Sequence, residues 1–266
     1  MVNGPAPLSA AARVEINGAA AGGDELREAA LDDYGHFTAM QVRDRRTRGL
    51  DLHLARLDEA HQEMFGAPLD PAVVRGHIRH ALGAGTADAS VRVHVRERDG
   101  EPSVMVIVRP PAGWSGAALR LKSVPYQRSV AHLKHLGDFG QTYYRRQVLR
   151  DGYDEALLTG PDGEISEGSV TNVGFADASG VRWPSAPLLR GTTMGLLQRH
   201  GPSHGLPSRR APVRLSDDLE SFTAVFACSS RGLAPVSHID DRPVRAAAAV
   251  MNTLTGVYDS APWDPI

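Results

Sequence analysis

Cysteine, lysine and long apolar runs are scarce in this 266-residue chain, and each shortage excludes something. A single cysteine, Cys228, rules out an internal disulfide framework and points to a reducing compartment. Its neighbours Val225-Phe226-Ala227 read as core packing. Eleven histidines include no HExxH pair, and with one cysteine there is no Cys-based ligand set, so no metal site is expected. No stretch approaches the length of a membrane span, and the Ala-, Pro- and Gly-rich start lacks the basic lead and apolar run of a signal peptide. A cytoplasmic location follows as the expectation. The net charge is only −2, with acids and bases intermixed, which argues against nucleic acid or a membrane surface as partner. Of 29 basic residues only Lys122 and Lys134 are lysine, so chemistry that needs a primary side-chain amine has two candidates.

The rest has the hydrophobic and charged content of an ordinary globular enzyme, with no repeat or low-complexity tract. The first dozen residues read as a flexible lead. Strands are predicted at Arg13 to Ile16, Phe37 to Val42, Ser90 to Arg96 and Val104 to Val108, around helices at His53 to Phe65 and Pro71 to Leu82. This makes a small N-terminal α+β domain over 1–112. Pro and Gly after Arg109 suggest an interdomain connection over 113–130, itself carrying a strand at Leu119 to Val124. A larger C-terminal domain over 131–266 is expected to hold a helix near Gly140 to Arg150 and strands at Glu155 to Leu158, Thr171 to Phe175, Val181 to Trp183 and Ala224 to Cys228. A helix after Gly191 and an Ala-rich helix from Val244 to Tyr258 complete it. The fold class is α/β, an α+β small domain plus a larger α/β domain.

Lys134 sits in Val130-Ala131-His132-Leu133-Lys134-His135-Leu136-Gly137, among apolar residues and two histidines. Burial and nearby positive groups lower a lysine's pKa, as a nucleophilic amine requires. The same pattern also fits a structural lysine whose stem is partly buried. Downstream come Gly152-Tyr153-Asp154-Glu155-Ala156-Leu157-Leu158 and Glu164-Ile165-Ser166-Glu167-Gly168-Ser169-Val170-Thr171-Asn172. These segments resemble the class IV aminotransferases, the pyridoxal-phosphate enzymes of fold type IV. That group includes branched-chain and D-amino-acid aminotransferases and aminodeoxychorismate lyase.

The resemblance implies pyridoxal 5'-phosphate as cofactor and Lys134, twenty residues before Asp154, as its Schiff-base lysine. Glu167 falls where the family places an acid against the pyridine nitrogen; an ionised acid there keeps the ring protonated and electron-withdrawing. Asn172 is either a strand-end cap or part of the cofactor shell. Leu189-Arg190-Gly191-Thr192-Thr193-Met194 resembles the family's phosphate turn, with Gly191, Thr192 and Thr193 as its contacts. His53-Leu54-Ala55-Arg56-Leu57 resembles the helix whose arginine grips the phosphate, and Ser229-Ser230-Arg231-Gly232 a late loop that lends a hydroxyl from Ser229. A phosphate dianion suits such a set, because it wants backbone donors, a helix N-terminus and a bidentate partner.

The function implied is transamination between an amino acid or amine and a keto acid, in a homodimer with the cofactor between the two domains. Two departures bear on the reaction. Thr38 stands where branched-chain aminotransferases carry a glutamate, and aminodeoxychorismate lyase shares the threonine. Its hydroxyl either relays a proton, which favours a lyase releasing pyruvate, or is a β-branched residue chosen for packing. Gly137-Asp138-Phe139 lacks the family's usual partner for the cofactor's phenolic oxygen. Arg92, His94 and Arg96 alternate onto one strand face and either meet a substrate carboxylate or form a solvated surface. A serine hydrolase is a remote alternative, because Gly201-Pro202-Ser203-His204-Gly205 fits G-x-S-x-G; that motif needs a strand before it and a helix after.

Overall fold

The computed structural model describes residues 12–266, so the flexible lead expected at the N-terminus lies, but for its last residue, outside the described residues. Contacts divide the chain into two units. One contains 12–112, Leu133–Gly137 and Pro262–Ile266; the other contains Gly113–His132 and Asp138–Ala261. Among the described residues no helix is long and apolar enough to cross a membrane, and no cluster of three potential metal ligands occurs.

The first unit begins with β1 (Arg13–Ile16), β2 (Ala19–Ala20) and α1 (Gly23–Leu31). It continues with β3 (His36–Val42), β4 (Arg46–Arg48), α2 (Leu50–Phe65) and α3 (Pro71–Leu82), then β5 (Ala89–Arg98) and β6 (Glu101–Arg109). Five strands form an antiparallel sheet in the order β2-β1-β6-β5-β3. Period-two alternation sorts its faces. Val91, Val93 and Val95 of β5 are buried with Val104, Val106 and Val108 of β6, against Leu57 of α2 and Val74, Ile78 and Leu82 of α3. Arg92, His94 and Arg96 therefore share the opposite face. The β5–β6 connection is Asp99-Gly100, both at positive φ, the two-residue turn whose twist matches antiparallel strands. Asp70 caps α3 by accepting from Ala72 N, with Pro71 in the first turn.

The second unit holds β7 (Leu119–Pro125), α4 (Phe139–Arg150), β8 (Glu155–Thr159), β9 (Ile165–Gly168), β10 (Asn172–Asp177) and β11 (Gly180–Pro184). After them come α5 (Thr192–His200), β12 (Ser208–Ala211), β13 (Ala224–Ser229), β14 (Gly232–Ile239), β15 (Arg242–Pro243) and α6 (Ala248–Ser260). Its mixed sheet runs β12-β11-β10-β13-β14-β7-β8-β9, with β15 on β14. Where a connection was expected over 113–130, β7 lies inside this sheet, parallel to both β14 and β8. One face packs on α5 and α6 through Trp183, Phe226, Met194, Leu197, Leu254 and Val257, and Cys228 is buried there. Burial also pushes the Cys228 thiol up, out of reach of ordinary thiolate chemistry. The last strand, β16 (Trp263–Pro265), returns to the first unit antiparallel to β4.

Two helices differ from the sequence expectation. α1 was not expected, and it has no buried residue from which an amphipathic pattern could be read. The helix expected from Val244 starts only at Ala248, because the main chain just before it serves the sheet. Val225 N donates to Arg245 O, Val244 N to Ser237 O and Ala247 N to Thr223 O.

Candidate active site

In the first unit, residues 133–137 attach to the free edge of the sheet. Phe37 N donates to Lys134 O at 2.8 Å, Leu136 N donates to Gly35 O at 2.8 Å, and His36 and His135 form an antiparallel bridge. Gly35 permits this approach: a Cβ there would fall 2.6 Å from Val95 O and 2.9 Å from Leu136 Cδ1. Lys134 is thus fixed by main-chain bonds against β3. Its Nζ lies 4.7 Å from the centroid of the Phe37 ring.

Phe37 gathers other predicted residues. The Arg92 guanidinium carbon is 5.6 Å from its centroid, and the His94 ring packs edge-on at 5.4 Å. Burial and the charges of Arg92, Arg96 and Arg109 push His94 down to about 3, so it is neutral near pH 7. Arg96 turns elsewhere. Its Nε donates to Asp32 O and its Nη2 to Ala29 O, at the end of α1.

On the other face of β3, Thr38 is fully buried and meets α2. Its Oγ1 accepts from Arg56 Nη2 and lies 2.7 Å from His53 Nδ1, while Arg56 Nη2 is 3.4 Å from the same nitrogen. Burial first, then the charges of Arg56 and Lys134, hold His53 well below the ordinary histidine range. The spacing of Thr38 on a strand against His53 and Arg56, three apart on a helix, makes this cluster.

In the second unit, Glu167 at the end of β9 is buried, and so is Asn172 at the start of β10. Glu167 Oε1 is 3.4 Å from the buried Arg128 guanidinium, and Glu167 Oε2 accepts from Leu189 N at 3.2 Å. Asn172 ties the same turn down from the other side: its Nδ2 donates to Leu189 O at 2.7 Å and its Oδ1 accepts from Gly191 N at 3.1 Å. Gly191 then caps α5, and a Cβ on it would fall 2.2 Å from Asn172 Oδ1. Thr192 and Thr193 open the helix. Thr193 is buried and donates to Ser229 O at 2.6 Å, which joins the α5 N-terminus to the end of β13; Ser229 Oγ accepts from Arg231 N. The result is a helix N-terminus of nine residues with a hydroxyl at each of its first two positions, a geometry that receives anions.

The structure thus brings Thr38 and Arg56 together, sets Lys134, Arg92 and His94 around Phe37, and converges Glu167, Asn172 and Gly191 on one turn. It separates Arg96 from that group. Sequence reasoning overlooked Phe37, His53 and Arg128 as site neighbours. His53 could have been found, since it lies three residues before Arg56 on the same helix; Arg128 carried no local signal, because its pairing with Glu167 spans 39 residues. The other lysine, Lys122, is bound by Asp240 at 3.1 Å, and that bond raises its pKa, so its amine stays protonated. Ser203 lies on an exposed 3-10 turn directly after α5, with its hydroxyl donating to His200 O, so the strand–turn–helix setting of a hydrolase serine is missing there.

Comparison with known proteins adds the family. A search of curated proteins finds no match. Among solved structures, a hypothetical aminotransferase from Mycobacterium tuberculosis in its PLP-bound form superposes with a TM-score of 0.80 at 21% identity, over 94% of this chain and 98% of that one. Its α-ketoglutarate and PMP bound form gives 0.78 at 23%, over 88% and 90%. A fold IV-transaminase from Curtobacterium pusillum gives 0.76 at 24%, over 87% and 88%. At such identities the likeness carries the fold. The sequence model of amino-transferase class IV matches residues 35–239, more than three quarters of the chain and every residue from Thr38 to Ser229 described above. The chain belongs to the class IV amino-transferase family.

Proposed function

We propose that this protein is a pyridoxal-phosphate-dependent aminotransferase that moves an amino group between an amino acid or amine and a keto acid, with Lys134 as the amine that captures the cofactor. The carrying observation is the placement of Lys134: two main-chain bonds pin its segment to β3, and its amine stands over Phe37 beside motif residues of the family. Pyridoxal phosphate supplies an aldehyde that a primary amine can capture and a ring that withdraws electrons from the reacting carbon.

The residues present fit that group, each within its own unit. In the second unit the α5 N-terminus, with Thr192 and Thr193 at its first two positions and Gly191 packed directly on Asn172 Oδ1, suits a phosphate dianion; in the first unit the Arg56 guanidinium is a donor of the kind that grips one. Glu167 is a buried carboxylate, with Oε1 3.4 Å from Arg128 and Oε2 accepting from Leu189 N, the kind of ionised acid that would keep a pyridine nitrogen protonated. Asn172 and Ser229 hold the turn and the helix start in place. Lys134, once its amine is released, is the group on this chain that carries a proton at the substrate carbon. Arg92, with neutral His94 next to it, offers a substrate carboxylate a cation and a ring N–H, whereas Arg96 is committed to α1.

A homodimer belongs to this reading on family resemblance alone. A cytoplasmic location belongs to it on the strength of a lone buried cysteine. Purified protein given pyridoxal phosphate should show the absorbance of an amine-bound cofactor and lose it in Lys134→Ala; a band retained in the variant overturns the assignment. A keto acid should convert the pyridoxamine form back to the aldehyde form. If the cofactor never cycles through the amine form while pyruvate is released, the lyase is the correct reading.

A further inference from the structure

We propose that Thr38 is a positioning residue and not a proton carrier: its hydroxyl links Arg56 to His53, fixes His53 as the neutral imidazole protonated at Nε2, and holds the Arg56 guanidinium in its anion-binding orientation. The argument is one of donors and acceptors. Arg56 has only N–H donors, so Thr38 Oγ1 must accept from Arg56 Nη2. The hydroxyl owns a single hydrogen, and its other close neighbour is His53 Nδ1 at 2.7 Å. Were Nδ1 protonated, Thr38 Oγ1 could accept its hydrogen on a second lone pair, but the 3.4 Å contact between Nδ1 and Arg56 Nη2 would then bring two donors together. With a lone pair on Nδ1 both contacts become favourable: Thr38 donates to it, and Arg56 Nη2 faces an acceptor. The hydrogen bonds then run in one direction, from guanidinium to hydroxyl to imidazole.

Burial agrees. Thr38 and His53 are both inaccessible, and the Arg56 and Lys134 charges disfavour a charged imidazole, which leaves a neutral ring whose tautomer is set by Thr38. A hydroxyl whose one proton is spent on His53 has none to give to a substrate, so the lyase-like function that a threonine at this position suggested is not served by this geometry. Thr38 acts instead through Arg56: without it the guanidinium loses a buried acceptor and the orientation that acceptor imposes. The tautomer rests on this geometry alone; the link to cofactor affinity rests on the aminotransferase reading above.

The two parts are tested separately. In protein without cofactor, nitrogen-15 spectra of labelled histidine, with His53 assigned by the signal lost in His53→Gln, should show the neutral Nε2–H pattern and a hydrogen-bonded Nδ1. An Nδ1–H pattern overturns the proposal, whether or not the protein is an aminotransferase. In loaded enzyme, Thr38→Val should weaken pyridoxal phosphate binding by roughly tenfold or more, the worth of a hydrogen bond to a charged group. Thr38→Ser should restore it. If Thr38→Val binds the cofactor like the wild type but loses kcat, the hydroxyl works in proton transfer and the proposal fails. A protein that shows the expected tautomer but never binds pyridoxal phosphate would sink the function and leave the hydrogen-bond assignment standing.

Discussion

At the scale of single residues, the second unit keeps a buried carboxylate apart from the candidate cofactor contacts. Glu155 is 1% exposed; its Oε1 accepts from Ala156 N and from both the main chain and the hydroxyl of Ser169, and Arg145 stands 4.0 Å from its Oε2. Burial pushes its carboxyl up, and Arg145 and the Ser169 donors pull it back. Ser169 sits in the turn between β9 and β10, two residues after Glu167 and three before Asn172, so Glu155 anchors the turn that links the two. Removing one member of a buried pair leaves the other uncompensated. Glu155→Ala is therefore expected to cost about 3 kcal/mol in urea unfolding and to weaken pyridoxal phosphate binding as the turn between Glu167 and Asn172 loosens. A loss of stability under about 1 kcal/mol would mean the cluster has no net worth. The motif around Glu167 was legible because residue types and their spacing carry it. Glu155 as anchor was not, because its partners Ser169 and Arg145 are set by folding and not by local pattern.

At the scale of elements, legibility followed the origin of each element's stability. α2 and α3 could be read because one stripe of each faces the core and Asp70-Pro71 marks a start. β5 and β6 could be read because Val alternates with polar residues. β14, by contrast, carries little strand signal of its own: it contains Gly232 and Pro235, and it is held by the adjacent β13 on one side and, in parallel, by β7 from a distant segment on the other. The turn into α5 offers the sharper test. Gly191 has φ −68 and ψ 147, which any residue adopts, so it is required for space and not for backbone conformation. In Gly191→Ala the new methyl must displace Asn172 Oδ1, which breaks the bond from Gly191 N and disturbs the one to Leu189 O. The expected result is a stability cost of about 1–3 kcal/mol, typical of overpacking, with a larger proportional loss in pyridoxal phosphate affinity. Equal affinity in the variant would show that the α5 start does not hold the phosphate.

At the scale of the whole molecule, the two units should respond differently to acid. His36, His53 and His94 all belong to the first unit and all have depressed pKa values: burial and then His61 push His36 to about 3, burial and three arginines bring His94 to about 3, and burial with Arg56 and Lys134 lowers His53. A histidine kept neutral in the fold binds fewer protons than in the unfolded chain, so stability rises with pH across the interval between its folded and unfolded values. Each such group is fully favourable above about pH 6.5 and costs up to about 1.4 kcal/mol per unit of pH below it, down to about pH 3 for His36 and His94. The carboxylates with lowered values, Asp58, Asp177 and Asp240, lose their contribution only nearer pH 4, and Glu155, whose carboxyl is pushed up, acts in the opposite sense, so a fall in stability from pH 7.5 to 5.5 belongs to the histidines. Tryptophan reports on each unit: Trp263 lies in the first, under the Arg48 guanidinium, whereas Trp114 and Trp183 lie in the second. Urea unfolding followed by tryptophan fluorescence should show the midpoint falling between pH 7.5 and 5.5. In Trp263→Phe, where only the second unit is visible, that fall should shrink. A midpoint unchanged over this interval in the wild type would mean that these histidines become protonated within the folded chain, and the packing around them would need a different account.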